Sequence, residues 1–413
     1  MAKPKQSRCI CQRSMDAGEL APLVTEFVAD LGAQGHSCLT VGGYEASARH
    51  FACWLVKAEL AIGNIDDGVL HRFARHRCRC PGIRRLNRVS AKYVRRARRF
   101  VEFLAKRGIV QRAAHVAPPA PNRQVCEFQE WLRRHRGISD RTINRHGRMV
   151  MRMLPALGSM PGRYNADLIR AVIVAETKRA SMAYVKTMAM ALRGYLRFLS
   201  ACGLCRAGLD HAVPIIPQWR LSALPRYIDS TDVDRLIATC DSATPSSLRD
   251  RAILLLLARL GLRAGDIVML CLEDIDWQQA TLSVCGKGRR ETRLPLPQDA
   301  GDAVLDYLDR GRSRAVCDRL FLTSKAPFQP LSGSTVSSVV RRALDRAGIA
   351  APSKGTNLLR HSAATAMLRG GATLDMVGTV LRHRSPDMTA HYAKVDILML
   401  QQIAQPWPGE ARC

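Results

Sequence analysis

The sequence is as telling for what it lacks as for what it holds. No segment approaches the ~20 consecutive apolar residues that a membrane-crossing helix needs, and no signal peptide opens the chain, so neither a membrane protein nor an exported one is expected. A low-complexity basic tail is missing too. Acidic side chains are scarce: 35 Asp+Glu face 63 Lys+Arg, which gives a formal net charge of +28 and an isoelectric point near 10.3. The 14 cysteines follow no regular spacing, which argues against a small disulfide scaffold and for reduced thiols in a cytoplasm.

What is present is a basic chain able to fold. Hydrophobic residues make up 47% of 413, enough for packed cores, and that length predicts two or three domains. The charge is uneven. Residues 1–200 carry 36 basic and 14 acidic side chains, an excess of 22, whereas residues 201–413 carry 27 and 21, an excess of 6. The first half therefore reads as an electrostatic grip on a polyanion, DNA or RNA, and the second as a folded unit with a local site. Cys9-x-Cys11 and Cys78-x-Cys80, with His71 and His76 nearby, have one residue between thiols where zinc pairs usually have two or more, so no metal is expected. Cys202 and Cys205 lie at a helix end without a thioredoxin-like surround, and read as packing.

A weak internal repeat organises the basic half. Gly35-His36-Ser37, Thr40, Tyr44 and Phe51 recur as Gly137-Ile138-Ser139, Thr142, His146 and Met153, at a constant offset of 102. FVEFLAKRG from Phe100 recurs as YLRFLSACG from Tyr195. Each copy predicts a helix, a second helix capped by Ser and Thr, and a final amphipathic helix ending at Gly108 or Gly203. Two helical domains are expected, 1–116 and 117–212, joined by the Pro-rich APPAPN. In the second, Arg134, Arg136, Arg141, Arg145 and Arg148 form a basic face suited to phosphates.

After a Pro-punctuated linker from Pro214 to Pro225, a domain over 224–413 is expected to be mainly helical with a small antiparallel sheet. Asp229-Ser230-Thr231 caps a helix to about Cys240. Ser246–Leu260 is a strongly apolar helix stopped by Gly261, and Leu282 to Leu296 reads as a hairpin with Lys287 at its turn. Residues 333–348, 359–370, 373–381 and 385–404 read as further helices or helical turns. Within this domain Arg263, Lys287, Arg360, His383 and Tyr392 form an ordered series. Arginines clamp a phosphodiester bidentately, lysine and histidine move protons, and a tyrosine hydroxyl can attack phosphorus.

Their frames are LLLLARLGLRAGDIVMLCLEDIDW, VCGKGRRETRLPL, NLLRHSAATAMLRGGA and LRHRSPDMTAHYAKV. Together, and with Tyr392 nine positions after His383, these resemble the tyrosine recombinase (phage integrase) family over about Leu224 to Val395. The resemblance implies that Tyr392 is the nucleophile, that Arg263 and Arg360 stabilise the phosphorane-like transition state with His383, and that Lys287 protonates the departing 5′-oxygen. Three positions depart from the family's pattern. Asn357 replaces the first His of the His-x-x-Arg-His box, and can donate to a phosphate oxygen but not shuttle a proton near neutral pH. Arg382 replaces the Gly of Leu-Gly-His and is expected to add a phosphate contact, and Asp266 replaces Glu as a buttress. His361 reads as a buried structural partner, and Arg289 and Arg290 compete with Lys287 for backbone phosphates.

The resemblance further implies a core-binding clamp at 117–212, no cofactor, and a homo-tetramer acting on two double-stranded DNA sites through a Holliday junction, with sister recombinases as further partners. It also implies a cytoplasmic, nucleoid-associated enzyme. The extra N-terminal domain favours a mobile-element recombinase, and the apolar Ile397 to Ile403 suits docking on a neighbouring protomer or on its own domain. The competing readings are a type IB topoisomerase-like activity and a non-catalytic DNA-binding relative.

Overall fold

The computed structural model describes residues 17–78, 89–110, 122–217, 224–240, 243–285, 291–313, 317–383, 385–395 and 400. It is mostly helical, with one three-stranded antiparallel sheet. Among the described residues no helix is long and apolar enough to cross a membrane. The described residues gather into two compact units. One comprises those within Met1–Glu59, Phe73–Phe103 and Leu221–Cys413, the other those within Leu60–Arg72 and Leu104–Arg220.

The repeat is visible in local geometry. The helix Cys38–Lys57 follows Ser37, whose Oγ donates to Thr40 Oγ1 at 3.0 Å, and the helix Asp140–Leu157 follows Ser139, whose Oγ lies 3.0 Å from Thr142 Oγ1. Phe51 and Met153, at equivalent positions, are both buried. The helices Ala91–Lys106 and Met182–Ala201 also end alike. Gly108 and Gly203 are left-handed (φ +73° and +69°), and the next residue's N–H closes on the carbonyl of Leu104 or Leu199 at 3.1 and 2.8 Å. Such an ending satisfies last-turn carbonyls that a helix otherwise leaves open.

The second unit packs on aromatic rings. Phe128, from the helix Arg123–Arg136, meets Tyr195 edge-on at 5.4 Å and Phe198 at 5.8 Å. Val185, Met188, Leu192, Ile169 and Ile173 close the same core. Burying such side chains contributes about 1.5–3 kcal/mol each, which offsets the ordering cost of a short helical unit.

In the first unit, the helix Pro245–Arg259 runs through the middle of a large core. Its run Leu254 to Leu257 is buried all round, Thr244 caps it by accepting from Ser247 N at 3.3 Å, and Pro245 occupies its first turn. Gly261 ends it with φ +57°, and a Cβ there would stand 2.5 Å from Leu381 Cδ2. Glycine thus answers two demands, a left-handed backbone and a close approach. The sheet has order β1-β2-β3, with β1 Ile275–Asp276, β2 Thr281–Cys285 and β3 Glu291–Pro295. Cys285 pairs with Glu291, so the expected hairpin is present, and Leu282, Val284 and Leu294 turn inward. Its tip, residues 286–290, lies outside the described residues, and with it Lys287, Arg289 and Arg290.

The helix expected from 359 starts a turn earlier, at Thr356–Arg369, which puts Asn357 in its first turn. Of the helix or helical turns expected over 385–404, the described part is one α-turn, Asp387–Ala390, that tightens into a 3₁₀ turn, His391–Val395. Burial is consistent with the tightening: Thr389, Tyr392 and Val395 are all buried, and a 3₁₀ winding aligns a spacing of three on one face. Apart from the exposed Leu400, the segment Ile397 to Ile403 lies outside the described residues.

Candidate active site

Arg263 is the residue before the helix Ala264–Met269, two residues after the left-handed Gly261, so the bend turns its side chain away from the buried helix that precedes it. Asp266 secures the bend: its Oδ2 accepts from Arg263 N at 2.8 Å. Arg263 Nη2 reaches Arg382 O at 3.5 Å. The expected buttressing by Asp266 is present, and it extends to a second arginine, since the same carboxylate oxygen accepts from Arg382 Nη2.

Arg360 is buried on the helix Thr356–Arg369. Its Nη1 donates to Gly261 O at 2.5 Å and its Nη2 to Leu381 O. One guanidinium therefore ties together the end of the central helix and the turn that precedes His383. Burial, and then the Arg263 charge, bring its pKa down to about 10. Arg382 opposes its charge as well, while Tyr392 and Asp266 favour it. A gathering of cations richer in guanidinium than in carboxylate is a pre-formed seat for a phosphate.

Tyr392 is buried on the 3₁₀ turn. Its ring stacks parallel to His383 at 6.2 Å, and its Oη lies 2.8 Å from His361 Nδ1. Burial pushes the phenol above the ordinary tyrosine pKa, and the Arg360 and Arg263 charges pull it part of the way back. Both arginines thus lie close enough to act on the phenol. His383 Nδ1 meets Thr389 Oγ1 at 2.7 Å, and burial, then Arg360 and Arg263, hold its pKa at about 4. Asn357 is exposed on the first turn of the helix that carries Arg360.

His361 is the residue that sequence reasoning set aside. It is half-buried, and its partner is the phenol itself. The signal for it was its place beside Arg360, one position round the same helix. Arg382 also differs from expectation. It adopts φ +55°, the left-handed region that explains why a glycine serves the family at this position, and its side chain, 8% exposed, is turned inward onto Asp266. Asp266 engages only Nη2, and the buried Nε and Nη1 of Arg382 have no hydrogen-bond partner among the described residues.

The five arginines expected on DNA, Arg134, Arg136, Arg141, Arg145 and Arg148, are all exposed on two helices of the second unit. Arg134 pairs with Glu130 at 3.0 Å and Arg148 Nε donates to Asn144 O at 3.4 Å. Contacts this exposed are screened by solvent and yield readily to a polyanion.

The neutral histidines give the free protein a pH signature. Burial holds His361, His383 and His391 below the ordinary histidine value. The unfolded chain therefore takes up protons first as pH falls, so their contribution to stability is present above the ordinary histidine range and is lost as pH falls through it, for His383 down to about pH 4. Melting curves of the DNA-free protein are expected to shift to lower temperature between pH 7 and pH 5. A midpoint that rises over that interval contradicts this account of the site.

Comparison with known proteins identifies the family. Residues 226–398 match the Phage integrase family. The chain is 37% identical over 404 residues to "Putative integrase/recombinase y4rA" of Sinorhizobium fredii, covering 96% of each. It is 33% identical over 229 residues to the tyrosine recombinase XerD of Mycobacterium tuberculosis, covering 53% of this chain and 71% of the relative. Among solved structures, a lambda integrase (75–356) dimer bound to a COC′ core site aligns with TM-score 0.54 and 17% identity, over 70% of this chain and 98% of that one. The XerH site-specific recombinase bound to palindromic difH substrate, a post-cleavage complex, aligns with TM-score 0.54 and 18% identity, over 67% and 83%. Those likenesses concern the fold. With the full-length relative and the matched domain, they lead to one conclusion: the chain belongs to the tyrosine recombinase (phage integrase) family, whose members are DNA strand-transferring enzymes.

Proposed function

We propose that this protein is the site-specific recombinase of a mobile element, and that it cuts and rejoins DNA through Tyr392. The observation that carries the reading is the phenol's surroundings: Oη 2.8 Å from His361 Nδ1, under the charges of Arg360 and Arg263. Tyr392 Oη attacks a backbone phosphorus, an ester forms between tyrosine and the 3′-phosphate, and the bond to the 5′-oxygen breaks. Arg263, Arg360, His383 and Asn357 carry the negative charge that builds on the nonbridging oxygens. Lys287 gives the 5′-oxygen its proton. His361 Nδ1 receives the phenol's proton, a task that Asn357 cannot perform.

The ester stores the energy of the broken bond, so a 5′-hydroxyl of a second duplex can reverse the step. Four protomers on two duplexes, passing through a Holliday junction, complete an exchange. Residues 224–413 are the catalytic domain, 117–212 the clamp carrying Arg134, Arg136, Arg141, Arg145 and Arg148, and 1–116 an additional helical domain. The experiment is covalent trapping on a nicked suicide duplex bearing the element's own end sequence. A denaturation-resistant protein–DNA adduct supports the reading. Sequence-specific binding without any adduct leaves a DNA-binding protein only.

The role of His361 has its own test. His361→Ala is expected to slow adduct formation about 10²–10⁴-fold at pH 7 and to recover part of that loss as pH rises, because hydroxide then does the base's work. A rate within threefold of wild type at every pH removes His361 from the reaction.

A further inference from the structure

Three ligand-bearing side chains meet far along the chain from the residues above. His50 lies inside the helix Cys38–Lys57, and His76 and Cys78 follow the helix Asp67–Arg75. A ligand atom of each lies within 4.8 Å of those of the other two, and His50 Nε2 stands 3.3 Å from Cys78 Sγ. His50 and Cys78 are 1% and 3% exposed. Phe73 and Tyr93 flank the His50 ring at 5.2 and 5.5 Å, and Trp54 lies 5.7 Å from the His76 ring.

Ordinary hydrogen bonding does not account for this cluster. His76 Nδ1 faces Phe73 O at 2.5 Å, so its proton sits on Nδ1 and the lone pair on Nε2. That Nε2 is buried and has no hydrogen-bond partner among the described residues, and the same is true of His50 Nδ1. A ring nitrogen whose opposite N–H is fixed on a backbone carbonyl is how protein metal sites orient a histidine ligand. Zinc held by nitrogen at about 2.0 Å and sulfur at about 2.3 Å spaces its ligand atoms roughly 3.3–3.8 Å apart, a small closure from the present arrangement.

We propose that His50, His76 and Cys78 form a zinc site that ties the helix Cys38–Lys57 to the chain following the helix Asp67–Arg75. Two imidazoles and a thiolate select zinc over the hard cations magnesium and calcium. On binding, Cys78 gives its proton to solvent and the imidazoles bind as neutral ligands. Three protein ligands leave the fourth tetrahedral position to water. The sequence spacing argued against zinc because it considered neighbours along the chain, and His50 comes from another helix.

The test uses the full-length chain, expressed with zinc and purified without a histidine tag. Elemental analysis is expected to find one zinc per chain, and cobalt substitution to give a thiolate-to-metal charge-transfer band with tetrahedral d–d intensity. His76→Gln, a half-exposed position that leaves the packing intact, is expected to lower zinc affinity at least about tenfold with an unchanged circular dichroism spectrum. Cys78→Ser is expected to lose the charge-transfer band, and Cys126→Ser, at an exposed thiol of the other unit, to keep it. Wild-type protein without stoichiometric zinc overturns the proposal. So does zinc or a charge-transfer band that persists unchanged in both the His76→Gln and Cys78→Ser proteins.

Discussion

Tyr392→Phe is expected to abolish the covalent DNA adduct, a loss of at least about 10⁴-fold, while leaving DNA affinity within a few-fold of wild type. The substitution removes the attacking oxygen and keeps the ring. That ring is buried and stacks on His383, so the 3₁₀ turn keeps its apolar face. The one local cost is the hydrogen bond to His361 Nδ1, worth about 1 kcal/mol. Gel-shift and suicide-substrate assays on one preparation separate binding from chemistry. An adduct that survives in Tyr392→Phe would move the nucleophile to another residue.

Arg360 is expected to give the second largest effect, and to give it in two measurements at once. Its guanidinium is buried and holds Gly261 O and Leu381 O. Arg360→Ala leaves both carbonyls without that donor and opens a void, a destabilisation of about 2–4 kcal/mol, which a thermal melt reads as several degrees. Arg360→Lys keeps a charge and loses the planar fork, so it retains much of the fold. Adduct formation is nevertheless expected to fall at least about 10²–10³-fold in the Lys variant, because one ammonium cannot hold the two carbonyls and also face a phosphate. A Lys variant that cleaves within tenfold of wild type would show that Arg360 serves the fold alone.

Much of the site was legible because its frames are local. The Gly261-to-Arg263 bend and the paired strands of the hairpin are fixed by neighbours along the chain, and the structure places them as turn chemistry suggests, whereas the interval from His383 to Tyr392 was legible through the family resemblance. The repeated Ser/Thr helix starts were equally readable, since a cap is a four-residue event. What could not be read depends on approach through space. His361 meets the phenol across 31 positions, and Arg382 meets Asp266 across 116. The 3₁₀ turn was hidden for a related reason. Its residues fit a helical period, and the burial of Thr389, Tyr392 and Val395 together is consistent with the tighter winding.

Arg382 and Asp266 carry a consequence for descent. Taken one at a time, an arginine in a left-handed conformation and a shortened carboxylate each look like an isolated lapse from the family's glycine and glutamate. Joined in a buried ion pair, they are two halves of a single compensated exchange: the shorter acid makes room for the guanidinium, and the guanidinium neutralises the acid. The arginine is the dependent half, since a buried guanidinium stripped of its carboxylate costs several kcal/mol, whereas Asp266 keeps its bond from Arg263 N. Lineages that carry this arginine should therefore carry an acid opposite it.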